Sequence, residues 1–374
     1  MVAGASIASS RQKSRTTFAR STINFSLYFA LCTLTFSLCN VAASVACRQP
    51  ALDRQALLVE RTHVTMGTEV RVAVWTTDEA GASGAADAVF GEFDRLDDLM
   101  SVWKDTSEVQ RLNAAAGQHP VSIGLEVHET LQIARQVSEW TDGTFDVTFG
   151  ALSDLWKFDV QDKDDRIPSR DEVLKRLPLV NYRDLIVDTG AGTAFLKRHG
   201  MRVNLGGIGK GYAVDRAVDI LRRRGFRDFI LQAGGDMYAS GRRGDRPWRV
   251  GIRDPRGPAD RSFAVLDLTN GTFSTSGDYE RFFMKDGRRY HHIIDLARGE
   301  PATACRSVTL VTTRAVIADA LAKGVFILGP DKGMALVERL PEVEGVIVSA
   351  KNEVVISSGL RARLVLQSSP TDAP

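Results

Sequence analysis

Cysteine is scarce in this sequence. The 374-residue chain has four, and two of them, Cys32 and Cys39, lie in an N-terminal segment that reads as removable. Cys47 and Cys305 are then left, too few for a disulfide framework. No C-x-x-C, H-E-x-x-H or nucleophile-elbow pattern occurs, which argues against a thiol redox module, a zinc protease and a serine hydrolase. Charge of one sign is not in excess either. The 48 Lys and Arg nearly cancel the 46 Asp and Glu, and no long basic block appears, so nothing suggests a nucleic-acid binder. Internal repeats are absent. Long apolar runs are absent too, apart from one near the start.

That run, Phe25 to Leu38, has 14 residues. It suits the apolar core of an export signal and is short for a membrane span. Arg11, Lys13, Arg15 and Arg20 precede it with no acid among residues 1–46. Small residues ending Ser44-Val45-Ala46 follow, so cleavage is expected near Ala46. The alternative is a short membrane anchor that stays attached. Cys47 stands where a lipoprotein would be modified, but Ser44 occupies a place that such signals fill with an apolar residue. Removing 1–46 leaves 44 basic and 46 acidic residues, a slightly acidic mature chain. Hydrophobic residues at 44% and charged residues at 25% are those of a soluble globular protein.

Residues 47–58 read as a linker. Residues 59–75 alternate and are rich in β-branched side chains, which predicts a hairpin turning near Met66-Gly67-Thr68. Val89, Phe93, Leu96 and Met100 have helical spacing, predicting a helix over 81–100. Ser107 is positioned to cap a short helix through Leu112, and 125–140 is a further amphipathic helix. The polar stretch from Asp159 to Arg170 reads as an exposed loop. Two strands flank Thr189–Gly192. Strands are expected at 229–233, 247–253, 262–268, 290–295 and 306–313, with a turn-rich segment at 274–281. A helix over 314–328 is followed by a strand, a helix and two strands. Helices and strands mix without a βαβ rhythm, so the fold class is α+β. One large domain over 59–365 is expected, with mixed or antiparallel sheets, flanking helices and a tail at 366–374.

The most distinctive stretch is Asn204-Leu-Gly-Gly-Ile-Gly-Lys-Gly-Tyr-Ala-Val-Asp215. Four glycines fall within six positions, with Lys210 among them and a helical pattern after them. Glycine lets backbone approach a ligand, and free N–H groups at a helix start attract phosphate. This is not a Walker A loop, because Gly211 follows the lysine. A phosphate cradle and a plain tight turn both fit this stretch alone. Further polar, glycine-flanked clusters occur at 142–150, 234–236 and 274–281. His291 and His292 face opposite ways on an alternating strand, so at most one serves a given site.

Read in order, these pieces resemble the ApbE family, the FAD:protein FMN transferases. The matching segments are Met66-Gly-Thr68, Met100-Ser-Val-Trp103 with Ser107-Glu108 and Asn113, Asp142-Gly-Thr-Phe-Asp-Val147, Asn204 through Asp215, Gly234-Gly-Asp236, Thr275 through Arg281, His292-Ile-Ile-Asp295 and Ala318-Asp-Ala-Leu-Ala322. They span nearly the whole mature chain. The resemblance implies an enzyme that binds FAD and magnesium. It cleaves the pyrophosphate and joins FMN through a phosphoester to a Thr or Ser hydroxyl of a target protein, releasing AMP. It implies that His292 activates the acceptor hydroxyl. Met66, Trp103, Thr144, Phe145, Asp146, Asn204, Lys210 and Ile293 are implied to contact FAD. Gly207, through its carbonyl, and Asp319 are implied to hold the metal. The acceptor would be an exported or membrane-associated redox protein, and the enzyme would be periplasmic, free or anchored on the outer side of the cytoplasmic membrane.

Two departures stand out. The family's metal helix often reads D-A-L-A-T, whereas here it is Asp319-Ala-Leu-Ala-Lys323. Positions 319 and 323 share a helix face, and a charged lysine has donors only. Either Lys323 pairs with Asp319 and partly replaces the cation, or it points away and the metal binds through Asp319 and water. The second departure is Leu296, where the family has proline after H-I-I-D. Two other functions share the same residues. One is an FAD-binding protein without transferase activity; the other is a magnesium-dependent FAD pyrophosphatase with water as acceptor.

Overall fold

The structure is a computed structural model and describes residues 55–158 and 165–373. The export segment, most of the linker and part of the charged loop lie outside the described residues. The chain opens with a hairpin of β1 (Leu57–Thr65) and β2 (Thr68–Thr76), turning at Met66-Gly67. Helices α1 (Glu79–Met100) and α2 (Glu108–Ala114), the short strand β3 (Val121–Ser122) and α3 (Leu125–Trp140) follow. Next come α4 (Arg170–Arg176), β4 (Leu185–Asp188), β5 (Thr193–Leu196) and α5 (Gly209–Arg223). The second half runs β6 (Phe229–Ala233), β7 (Asp236–Ser240), β8 (Trp248–Arg253), β9 (Ser262–Leu268) and β10 (Asn270–Gly277). Then come β11 (Phe282–Lys285), β12 (Arg288–His291), β13 (Ile294–Asp295), β14 (Glu300–Pro301), β15 (Cys305–Thr312) and α6 (Ala315–Arg339). It ends with β16 (Glu344–Ser349), β17 (Val354–Ile356) and β18 (Leu364–Leu366).

The eight-stranded main sheet has the order β1-β2-β6-β7-β10-β15-β16-β17, and every neighbouring pair in it is antiparallel. The α+β expectation holds. Strand alternation sorts the side chains onto two faces. Phe229, Leu231 and Ala233 of β6 join the core shared with α1, α5 and α6, together with Val308 and Leu310 of β15. Ile230, Met237, Phe273 and Val311 face the other way, onto Trp248, Phe263 and Leu266 of the small β18-β9-β8 sheet. The sheet is therefore covered on both faces. The C-terminal tail is bound back, with the Thr371 N–H 3.0 Å from Asp254 Oδ2.

Most predicted elements are present, and the exceptions have physical causes. Ser274 to Gly277, read as turn, are strand residues. They are polar but satisfied, for Ser274 Oγ donates to Asp236 and Thr275 Oγ1 bonds Thr309 Oγ1 at 2.9 Å. The turn begins at Asp278, whose carboxylate takes two 2.7 Å bonds from the buried Arg256 guanidinium. The predicted strand 290–295 is interrupted at His292-Ile293. No strand separates the helix over 314–328 from the next helical stretch; α6 kinks at Gly329 (φ 82°) before Pro330 and resumes as helix, and three strands follow it rather than two. Helix α4 was not anticipated, although Ser169 and Glu172 form a full capping box.

The closest approach between elements near the glycine-rich stretch is where α5 crosses α6. A Cβ on Gly211 would lie 2.4 Å from the Ala315 carbonyl oxygen and 2.7 Å from Asp319 Cβ. One turn on, the Asp215 carboxylate caps α6, accepting from Ala315 N at 2.8 Å and Val316 N at 3.1 Å. Alanine at 211 would gain about 1 kcal/mol of helix propensity, but overpacking against backbone costs about 1–3 kcal/mol and wins. Gly211→Ala should therefore lower the urea midpoint. Gly84→Ala, at an exposed position of α1 with nothing within 4 Å of the added Cβ, should raise it; equal responses would refute the packing account.

Candidate active site

At the start of α5, four charged side chains from three elements meet below the surface. Lys210, in the first turn of α5, places Nζ 3.4 Å from Asp236 Oδ2 at the start of β7. Asp319, in the second turn of α6, is wholly buried and accepts from Gly211 N at 2.9 Å. Lys323, one turn further on, closes onto the Asp319 carboxylate with its ammonium and donates to the Asp319 carbonyl oxygen at 2.8 Å. Burial opposes the Asp319 charge, but Lys210 and Lys323 outweigh it and hold its carboxyl below the usual range. Asp236 goes the other way: burial and repulsion from Asp319 raise it against the pull of both lysines. Burial also opposes the Lys210 charge, yet Asp319 and Asp236 keep its ammonium above the ordinary lysine range.

His292 faces this cluster from the break between β12 and β13. The hairpin leading to it is clamped by ring stacking, with Phe283 and Tyr290 centroids 5.2 Å apart and Trp156 and Tyr290 6.1 Å apart. Its neighbour His291 turns the opposite way, as the alternation predicts. His291 Nε2 bonds the Ala302 carbonyl at 2.7 Å and its ring sits edge-on to Phe326. His292 Nδ1 is buried and has no partner within the described residues. Burial, then the adjacent His291 and the positive charges of Lys323, Arg281 and Lys210, push the ring down to about 3. The imidazole is thus neutral, with a ring nitrogen unspent.

The glycine-rich stretch divides into two kinds of glycine. Packing accounts for Gly211. It does not account for Gly207, where an added Cβ would meet only ordinary contacts, Phe145 Cε2 at 3.5 Å and the Lys323 stem at 3.9 Å. Nor is Gly207 among the residues with positive φ. Gly207 is partly exposed, beside Phe145 and the Lys323 stem. Asn204 sets up this loop, its Oδ1 accepting from Gly206 N at 2.8 Å and its Nδ2 donating to Ser153 Oγ at 3.2 Å.

The other expected contact residues vary. Trp103 is 82% exposed, on a loop that leaves α1 beside the glycines; Met100 Sδ lies 3.8 Å from where a Gly209 Cβ would be. Met66 occupies the β1–β2 turn with φ 49°, and Arg281 reaches the Gly67 carbonyl of that turn at 3.5 Å. Thr144 Oγ1 ties its loop to α6 through the Gly324 carbonyl at 3.3 Å. Two residues are turned elsewhere. The Asp146 carboxylate is taken up by Thr148 N, Thr148 Oγ1 and Tyr182 N, at 2.6–2.8 Å, and burial raises it. The Ile293 side chain packs in the main core.

The chain carrying this site is similar to known proteins over most of its length. The model of the ApbE family matches residues 66–347. The chain belongs to the ApbE family. A protein named FAD:protein FMN transferase from Klebsiella pneumoniae (strain 342) is 31% identical over 83% of this chain and 94% of its own length. Another of that name, from Treponema pallidum (strain Nichols), is 33% identical over 81% of this chain and 88% of its own. The crystal structure of the ApbE protein of Thermotoga maritima matches with TM-score 0.76 at 31% identity, covering 82% of this chain and 99% of that one. The flavin transferase ApbE from Vibrio cholerae matches with TM-score 0.74 at 26% identity, covering 82% and 99%.

Within this ApbE fold, two charged residues carry more of the site than their motifs suggested. In the sequence Asp236 and Arg281 stand out only as members of the Gly234-Gly-Asp236 and Thr275 through Arg281 segments. Their signal was available: charged side chains directly after Gly234-Gly235 and at the end of a strand-terminating turn.

The magnesium that the family resemblance implies does not fit the donors present. Both Asp319 oxygens are engaged, one by an N–H and one by an ammonium, and position 323 brings a positive charge instead of a hydroxyl.

The His292 environment predicts an acid limb of stability. Its folded value near 3 lies below an unfolded one of about 6.5, so the unfolded chain takes up a proton that the folded ring refuses. This contribution is present above about pH 6.5 and is lost as pH falls toward 3. Urea midpoints across that window should fall less steeply for His292→Gln than for the wild type; parallel curves would contradict the assignment.

Proposed function

We propose that the protein moves the FMN half of FAD onto a Thr or Ser hydroxyl of an acceptor protein, releasing AMP. One observation carries this reading to particular atoms: the unpartnered Nδ1 of neutral His292 beside Lys210, Lys323 and Arg281. A diphosphate needs charge neutralisation, and the attacking hydroxyl needs a base. The partly exposed Gly207 backbone, the start of α5 and the lysines supply the first. His292 supplies the second.

The reaction balances as follows. The hydroxyl oxygen attacks the phosphorus on the FMN side, and a new O–P bond forms. The bond from that phosphorus to the bridging oxygen breaks, and AMP leaves with the electron pair. The hydroxyl proton passes to His292. A bound diphosphate offsets the positive charges of Lys323, Arg281 and Lys210 that, after burial, lower the free ring's proton affinity. Trp103, exposed on its loop, is suited to stack on a ring of FAD.

The acceptor is proposed to be an exported or membrane-associated redox protein, and the enzyme to work outside the cytoplasmic membrane. The basic segment, the 14-residue apolar run and the small residues ending at Ala46 support this. Mass spectrometry of the exported protein should find a chain beginning at Cys47; a chain retaining residues 1–46 would indicate an anchor instead.

Incubation with FAD and a Thr-bearing acceptor peptide tests the chemistry. Covalent FMN should appear on the peptide in step with AMP. His292→Asn should slow transfer by about 10²–10⁴-fold while FAD affinity is retained. AMP release without peptide-bound flavin would overturn the transferase reading in favour of hydrolysis. FAD binding with no AMP at all would favour a binding protein.

A further inference from the structure

The poor fit to magnesium, taken with the position of Lys323, has a positive reading. We propose that the Lys323 ammonium is a built-in counter-ion for the diphosphate of FAD, so that FAD binds here without a divalent cation. This rests on the FAD reading above and goes beyond it.

Three observations place the charge. Lys323 is anchored at both of its nearest acceptors, the Asp319 carboxylate and the Asp319 carbonyl oxygen, which are on its own helix one turn back. An ammonium has three N–H bonds, so one remains for a phosphate oxygen. The lysine stem runs alongside Gly207, with Cε and Cδ 3.9 and 4.0 Å from the place of a Cβ there. The lysine side chain therefore runs between the buried carboxylate and the partly exposed Gly207. The side chain is 17% exposed against 0% for Asp319, so it is the outer member of the pair, on the side a ligand would reach.

The charges agree with this. Asp319 and Asp236 face Lys210 and Lys323. Arg281 adds a further positive charge, felt by both Lys210 and His292. The cluster is close to neutral or positive before any ligand binds. A divalent ion entering at Asp319 would have to displace the ammonium and then sit beside it, against like-charge repulsion in a partly buried place. A diphosphate entering over Gly207 meets charges already held in position, with no ion to recruit. The arrangement exchanges a removable cation for one covalently attached to the chain.

FAD binding, read by flavin fluorescence without any acceptor, tests this apart from transfer. The wild type should bind FAD with the same affinity in EDTA and in excess magnesium. The FAD-free protein should show no stoichiometric Mn2+ site by electron paramagnetic resonance. Lys323→Thr should lose FAD affinity in EDTA by about tenfold or more, and Lys323→Arg, which keeps the charge, should lose much less. A wild type whose FAD affinity rises about tenfold with magnesium, a stoichiometric Mn2+ site in the wild type, or a Lys323→Thr variant that binds FAD normally in EDTA would each overturn the inference. The wild-type measurements stand even if the threonine variant fails to fold. If the wild type bound no FAD in either buffer, the proposed function would fall as well, whereas dependence on magnesium would sink only the role of Lys323.

Discussion

The site depends on the close crossing of α5 and α6 at Gly211. Only a residue without a Cβ lets the α6 backbone approach within contact of the α5 start. That approach presents the Gly211 N–H to Asp319 and brings the Lys210 charge near the same carboxylate. Asp215 fixes the second end of the crossing by capping α6. With the helices separated by even one methyl group, Asp319 would lose a donor while still buried, and an ionised buried carboxylate without donors is strongly disfavoured.

From this crossing the electrostatics follow. Two aspartates and two lysines under partial burial divide their protons unevenly, with Asp319 low and Asp236 high. The positive side of the balance falls on His292, which stays neutral for that reason as well as for its burial. A neutral ring with an unspent nitrogen is the form a base must have before it takes a proton. His291, one residue away, is removed from the chemistry by its bond to the Ala302 carbonyl and its packing on Phe326. Cys305 is likewise inert as a nucleophile, its thiol pushed up to about 12 by burial.

Much of this was legible along the chain. The hairpin around Met66, the helix over Val89 to Met100, the Ser107 cap and the strand Phe229–Ala233 all came from periodicity and turn chemistry, which are local. Local reasoning failed where a polar stretch is paired on both sides. Ser274 to Gly277 look like a turn, but they lie in a central strand whose hydroxyls find partners on neighbouring strands. It failed again at Gly329-Pro330, where helix resumes after a kink. At the site, the resemblance named His292, Lys210 and Asp319, which the fold brings near one another. It also suggested Asp146, whose carboxylate the fold spends on Thr148 and Tyr182, and Ile293, whose side chain the core takes.

The sequence by itself determined the α+β class, the family, the choice between a hydroxyl and an ammonium at position 323, and the glycines that allow close approach. It left open what those glycines are for and which way Lys323 points. Tertiary structure decided both. Gly211 serves the helix crossing, while at Gly207 an added Cβ would make only ordinary contacts, so packing does not require a glycine there. Lys323 folds back onto Asp319 instead of pointing away. The physical reason is that a lysine's direction is set by the charge it meets, and the burial of Asp319, which makes that charge so attractive, is a property of how α5, α6 and β7 come together and not of any one segment.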